Sequence, residues 1–116
     1  MSNPSTVSYG NVRGTWILGV TLSPASVANA TSAEQTFAVT GLLLGDNVDC
    51  NKPTFQAGLS IVNSRVSANG VLAIAFQNVS SASITPTAAE VYNVVVMRPE
   101  NVSLAGVPTG MTQIVS

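Results

Sequence analysis

The sequence predicts an all-β protein, with one antiparallel β-sandwich or jelly-roll-like domain that follows an extended N-terminal arm. Two observations lead to this prediction. Apolar residues occupy every second position in several short segments, which is the period of a β-strand. Turn sequences rich in glycine, proline and asparagine separate these segments, as is typical of sandwiches and barrels. The length of 116 residues suits one domain with a hydrophobic core.

The strand pattern is clear at residues 15–22, 35–44, 48–50, 59–67, 71–79 and 90–98. The segment 71–79 is apolar on both faces, which predicts a central strand that is covered from both sides. The apolar face changes midway through 59–67, and a β-bulge near Asn63 would produce that change. Asn69-Gly70 predicts a hairpin with a type I′ turn, because both central residues of that turn need positive φ.

The remaining segments are predicted to be an arm, loops and a C-terminal extension. Residues 1–14 carry glycine and proline with little apolar periodicity, and we interpret them as the arm. The body is then residues 15–116, in which 99–116 form a candidate C-terminal extension with a weak final strand. Short helical turns are compatible with residues 31–35 and 86–91.

The scarcity of charge excludes several classes of function. Charged residues make up 8% of the chain, it contains no histidine, and its net charge is −1. Without histidine there is no Ser-His-Asp or Cys-His constellation and no imidazole metal ligand, so we expect neither an enzyme nor a metal or cofactor. Four scattered Lys and Arg residues do not form the basic patch that nucleic acid needs. No apolar run is long enough for a membrane-spanning helix, and the N-terminus lacks a signal-peptide pattern.

Several residues that could carry chemistry have simpler interpretations. The single cysteine, Cys50, lies in a strand-like segment and is predicted to be a small buried hydrophobic residue rather than a reactive thiol. Asp46 and Asp49 flank a turn, and solvated turn carboxylates are favoured over a weak Ca²⁺ site because the EF-hand pattern is missing. Three Asn-x-Ser/Thr sequons are interpreted as accidents of composition, at Asn29, Asn78 and Asn101.

Five residues are the candidates for contact with a protein partner: Tyr9, Val12, Arg13, Trp16 and Arg65. Tyr9 is the strongest of them, since it lies in the arm, where Val12 and Arg13 also lie. Trp16 alternates with apolar residues of its strand, which favours a place in the core over one in an interface. For Arg65, in the middle of a strand, an ion pair with a neighbouring strand and an interface contact are equally compatible with the sequence.

Part of the sequence resembles small virion proteins of tailed bacteriophages, of the capsid decoration (cement) type. The resemblance covers residues 35–98 and is carried by these segments: Val39–Val48, Ala57–Ser67, Val71–Asn78 and Ile84–Tyr92. This chain departs from that pattern at Ala88-Ala89, a turn where the similar proteins commonly have a glycine.

The resemblance implies a structural function without catalytic residues. A protein of this type would bind the outer surface of a phage capsid and stabilise it by bridging neighbouring subunits of the major capsid protein, as a dimer or trimer. It would be made in the host cytoplasm and reside in the virion. The alternatives are a head-fibre base, a tail or baseplate β module, or a sandwich that binds carbohydrate or a host surface.

Overall fold

The computed structural model describes residues 12–99, and within this range the chain forms β-strands and no helix. The strands are β1 (Val12–Leu22), β2 (Thr31–Ala38), β3 (Asn47–Asn51), β4 (Leu59–Ala68), β5 (Val71–Asn78) and β6 (Glu90–Pro99). They form two three-stranded sheets in the orders β1–β6–β3 and β2–β5–β4, and every pairing is antiparallel. The predicted all-β class is confirmed for this part of the chain, whereas the predicted final strand lies outside it.

Buried residues from both sheets form one hydrophobic cluster. The central strands contribute its most buried side chains, which are Leu72, Ile74 and Phe76 of β5 and Tyr92 and Val94 of β6. Complete burial of a side chain of this size stabilises the fold by about 1.5–3 kcal/mol relative to exposure. The prediction that residues 71–79 form a central strand is confirmed, since β5 lies between β2 and β4.

The first strand begins earlier than the sequence predicts. β1 starts at Val12, which pairs with Pro99, so residues 12–14 belong to a strand and not to an arm. The register shifts between Val12 and Gly14, which leaves Arg13 as the extra residue of a bulge at the strand end. Residues 1–11, the rest of the predicted arm, lie outside the described residues.

The prediction for β2 was displaced by four residues or more at each end. The strand spans Thr31–Ala38 instead of residues 35–44. Residues 31–34 hid its start because they are small and polar, whereas in the structure they pair with residues 75–78 of β5. Positive φ angles of 102° at both Gly41 and Gly45 turn the chain where the prediction continued the strand. The predicted helical turns were also wrong, since residues 31–35 lie in β2 and residues 86–91 form a turn that enters β6.

Two local predictions for β4 and its hairpin can be compared with the register. The register between β4 and β5 shifts between Ile61 and Asn63, which confirms the predicted bulge. A hairpin does connect the strands at Asn69-Gly70, but the type I′ turn was wrong, because Gly70 has a φ of +75° while Asn69 is not in the positive region. A second register shift precedes the turn. Such a pattern is typical of a longer loop that closes with a glycine bulge.

The turn before β6 contains a residue in the left-handed region. Ala89 has a φ of +58°. We expect Ala89→Gly to raise the free energy of unfolding by about 0.5–1 kcal/mol, because the left-handed conformation costs an L-residue about 1–2 kcal/mol and the added freedom of the unfolded chain offsets part of the gain. Thermal unfolding measures the difference. Ala88→Gly is the control, since Ala88 lacks positive φ and should lose about 0.4–1 kcal/mol. Equal effects of the two substitutions would contradict the prediction.

Candidate partner-binding surface

The two ends of the described chain meet at one end of the sheets, which we call the terminal end. Val12 of β1 pairs with Pro99 of β6, so residues 1–11 and 100–116 attach to adjacent strands at that point. The loop between β2 and β3 and the hairpin between β4 and β5 lie at the same end, as the registers of the strands require. The two ends of the described chain, Val12 and Pro99, therefore lie beside these two loops.

The loop between β2 and β3, residues 39–46, is held tightly against the neighbouring hairpin. Gly70 donates its N–H to the Leu42 carbonyl at 2.7 Å, and Val39 donates to the Gly70 carbonyl at 2.8 Å. Asn69 accepts a hydrogen bond from the Leu44 N–H through its side-chain oxygen at 2.9 Å. These bonds cross between segments that are far apart in sequence, so they fix the loop to the body rather than only to itself.

This fixed loop presents two apolar side chains to solvent. Leu42 is buried, whereas Leu43 and Leu44 are 45% and 60% exposed. An exposed leucine on a well-fixed loop loses little further conformational freedom when a partner covers it, so more of its burial energy remains for binding. Sequence reasoning missed this pair by including both residues in a strand. The glycines on either side of them, Gly41 and Gly45, were the signal for a loop.

A buried ion pair anchors the loop to β6. Asp46 accepts two hydrogen bonds from Arg98, each of 2.8 Å, and a third of 2.9 Å from the Leu43 N–H. Arg98 also donates to the Gly41 carbonyl at 2.8 Å. The Arg98 guanidinium holds the pKa of the Asp46 carboxyl below its usual value, because its hydrogen bonds and charge favour the ionised form. The prediction of a solvated carboxylate at Asp46 was wrong, since only 2% of that side chain is exposed.

Trp16 stacks on this ion pair instead of entering the core. The guanidinium carbon of Arg98 lies 5.0 Å from the centroid of the indole, within the range of a cation–π interaction. The ring also lies over Gly14, where an added Cβ would approach it to 2.9 Å. Trp16 remains 42% exposed, although it alternates with inward-facing residues. A shallow cleft of about 150 Å³ separates the indole and Leu18 from the loop at Leu42.

The predicted partner residues are only partly brought together. Val12, Arg13 and Trp16 lie at the terminal end, where all three are exposed, and Tyr9 lies outside the described residues. Arg65 lies elsewhere, on the outer face of the β2–β5–β4 sheet. There its guanidinium makes two hydrogen bonds of 2.8 Å to Glu34, so the ion-pair alternative describes the residue.

Two buried side chains of the described residues, Cys50 and Tyr92, have raised pKa values. Cys50 is buried, and loss of solvation together with the nearby Asp49 charge raises the pKa of its thiol to about 11. This agrees with its prediction as a small hydrophobic residue. Burial, with smaller effects of Glu90 and Cys50, also raises the pKa of Tyr92 to about 12. In residues 12–99 no three acidic, cysteine or histidine side chains come together as metal ligands, and no helix could cross a membrane.

The sequon at Asn78 lies in a fully buried position. Its amide donates to the carbonyls of Val27 and Ala82 and accepts from the N–H and hydroxyl of Ser80. A glycan cannot be attached to an amide that is enclosed in this way without unfolding the surrounding loops.

No family model, curated protein or solved structure matches the chain.

Proposed function

We propose that this chain is a structural virion protein that binds the outer surface of a phage capsid and bridges neighbouring subunits of the major capsid protein. The proposal includes a β-sandwich or jelly-roll-like body and a binding arm formed by the residues before Val12. The observation that carries it is the terminal end, where a fixed apolar loop, an exposed tryptophan and both ends of the described chain occur together. Its sequence resemblance to decoration proteins names the kind of partner.

The chemistry of the terminal end suits a protein surface. Its charged groups are largely neutralised in place, because Asp46 and Arg98 satisfy each other and the Gly41 carbonyl. The groups that remain exposed there include Arg13 and the apolar side chains of Trp16, Leu43 and Leu44. A partner that covers this end removes apolar surface from water at about 25 cal/mol per Å² and strips few unpaired ions of their solvation.

Attachment at one end would stabilise an assembled shell. Contacts that span two neighbouring subunits bind the shell and not its free subunits, so they favour assembly by mass action. Many weak contacts on a symmetric lattice give high avidity without a tight single site. An arm can also add a strand to an exposed sheet edge, where main-chain hydrogen bonds supply affinity with little demand on side chains.

The alternative of carbohydrate binding needs aromatic side chains that share one platform. Within residues 12–99 the two exposed aromatic side chains are Trp16 and Phe55, 42% and 87% exposed. Phe55 lies in the loop between β3 and β4, at the end of the sheets away from Trp16. The described part of the chain therefore favours a protein-binding end over a sugar platform.

We expect deletion of residues 2–11 to abolish binding to purified shells of the virus that encodes the chain, while the body stays folded. The deletion stops at residue 11 because Val12 and the residues after it belong to β1. Occupancy is measured by cryo-electron microscopy of the particles, and folding by circular dichroism and thermal unfolding. If the deletion protein occupied the shells as fully as the original protein, residues 2–11 would not be the binding arm.

A pair of matched substitutions separates the loop from the arm. We expect Leu44→Ser to reduce shell occupancy at least several-fold, because it removes exposed apolar surface at the terminal end without a change in the core. Phe55→Ser makes a similar change at the opposite end and should leave occupancy unchanged. The reverse pattern would place the shell contact at the loop of Phe55 and overturn the proposed orientation.

A further inference from the structure

The two sheets differ in the side chains that cover the central strand on their outer faces. On the β2–β5–β4 sheet, the Glu34–Arg65 pair crosses the central strand from one edge strand to the other. Beneath it Ala73 is completely buried. In this sheet a charged pair therefore covers part of the central strand, so the outer face there presents charged groups to water.

The outer face of the β1–β6–β3 sheet has no such cover among the described residues. Ile17, Val91 and Met97 are 72%, 50% and 41% exposed on it. Register pairs place the outward side chains in four rows, which are Thr15–Met97–Asn47, Ile17–Val95–Asp49, Gly19–Asn93–Asn51 and Thr21–Val91. Asp49 is the single charged residue in these rows. We call these rows the outer β6 face.

We propose that the outer β6 face is the contact between two copies of this chain, which pack face to face about a two-fold axis. The axis lies across the strands between the second and third rows. Each row then faces its counterpart in reverse order, so the first row meets the fourth and the second meets the third. Most homo-oligomers use a two-fold contact of this kind, in which one patch serves both partners.

Self-complementarity is what selects a second copy as the occupant. In this packing Ile17, the most exposed large apolar side chain of the rows, lies opposite Gly19 of the other copy, which has no side chain to oppose it. Met97 lies opposite Val91, so these two apolar groups meet, and Val95 lies opposite Asn93. Asp49 lies opposite Asn51, an amide that can donate to it, and not opposite another Asp49. The single charge of the outer β6 face therefore meets a hydrogen-bond donor of the other copy.

The size of the face predicts a weak dimer. Strands lie about 4.8 Å apart and rise about 3.3 Å per residue, so the face measures roughly 14 by 26 Å, or about 750 Å² for two copies. This is below the 1,200 Å² or so of standard stable interfaces, so we expect a dissociation constant of roughly 10–1,000 µM. On a shell, where the proposed function would hold copies side by side, a contact of this strength adds to avidity; the solution dimer itself does not depend on that function.

Sedimentation of the full chain over a concentration series tests the dimer. We expect Ile17→Lys to weaken self-association at least ten-fold, because it places a charge in the covered face without touching the core. Ser32→Lys makes a similar change on the exposed outer side of β2 and should have no effect. A full chain that stays monomeric at 1 mM, or that forms a trimer, would overturn the proposal, as would equal behaviour of the two variants.

Cross-linking tests the row order directly. A mixture of Thr15→Cys and Thr21→Cys proteins should be joined between chains by a short bismaleimide, because the first row faces the fourth across sheets about 10 Å apart, a separation too large for a direct disulfide. Either protein alone should cross-link far more slowly, and the buried Cys50 does not compete. If the chain cut after Pro99 dimerises while the full chain does not, the C-terminal segment covers the face and the proposal is wrong. Shell binding by the Ile17→Lys protein remains measurable, so failure of the dimer and failure of the proposed function are distinguishable.

Discussion

Replacement of Asn78 with alanine is expected to lower the free energy of unfolding by about 3–5 kcal/mol, a large part of the 5–15 kcal/mol that is typical of a domain. The side chain is fully buried and makes hydrogen bonds to three different residues, Val27, Ser80 and Ala82. Alanine leaves the Ala82 carbonyl and the Ser80 N–H without this partner and also leaves a cavity. Each unsatisfied buried group costs about 1–3 kcal/mol.

The position of Asn78 explains why the effect should be global. Val27 forms a two-way backbone bridge with Ile84, at 2.8 and 3.0 Å, and Asn78 bonds to the same Val27 carbonyl. Its amide thus joins the loop after β1 to the loop after β5, at the end of the sheets opposite the terminal end. When it is removed, both loops lose a common anchor and the core beneath them becomes easier to open.

Urea unfolding of three proteins measures the effect. Asn78→Asp tests the hydrogen bonds separately from the cavity, because its carboxylate has no donor for the Val27 and Ala82 carbonyls, and it should be at least as destabilised as Asn78→Ala. Asn63→Ala removes the same amide from an exposed position on β4 and should change stability by less than about 0.5 kcal/mol. A loss of less than 1 kcal/mol for Asn78→Ala would show that water replaces the amide at little cost.

The features that the sequence predicted correctly depend on local rules. The alternation of β5, the bulge at Asn63 and the position of the hairpin at Gly70 all follow from the strand period and from turn chemistry over a few residues. The start of β2 was missed because residues 31–34 are small and polar, and only their pairing with β5 makes them part of the strand.

The candidate site was less predictable because its key contacts are distant in the chain. Arg98 and Asp46 are 52 residues apart, and only the registers of β3 and β6 bring them together. The exposure of Trp16 has the same origin, since its indole leaves the core to stack on Arg98. The alternation of apolar residues correctly placed Trp16 in a strand. How far its side chain is buried depends on whether the opposite sheet and the loops cover that end of the strand.

Replacement of Asp46 with alanine is expected to cost about 2–4 kcal/mol of stability. Its side chain is 2% exposed, and removal of one partner of a buried ion pair typically costs about 3–5 kcal/mol. Arg98 can recover some hydration because its side chain is 24% exposed, which lowers the expected cost. The Leu43 N–H also loses its acceptor, so the loop that presents the exposed leucines should become mobile.

The pH dependence of the same contact has a definite sign. Because Arg98 lowers the pKa of Asp46 in the folded state, the contact stabilises the protein above the pKa of an unfolded aspartate and is lost as pH falls through the lower, folded value. Stability of the original protein should therefore decline more steeply than that of Asp46→Ala as the pH is lowered below about 4. Glu34 also loses a favourable contact in this range, but it does so equally in both proteins.

Asp49→Ala provides the matched control for Asp46→Ala. Asp49 lies three residues away on β3 and is exposed, so its removal should change stability by less than about 0.5 kcal/mol. Urea unfolding at pH 7 and pH 3, with hydrogen exchange of the Leu43 and Leu44 amides, measures both the global and the local effects. If Asp46→Ala left the exchange of these amides unchanged, the ion pair would not be what fixes the loop. The binding surface would then owe its rigidity to the bonds with Asn69 and Gly70 alone.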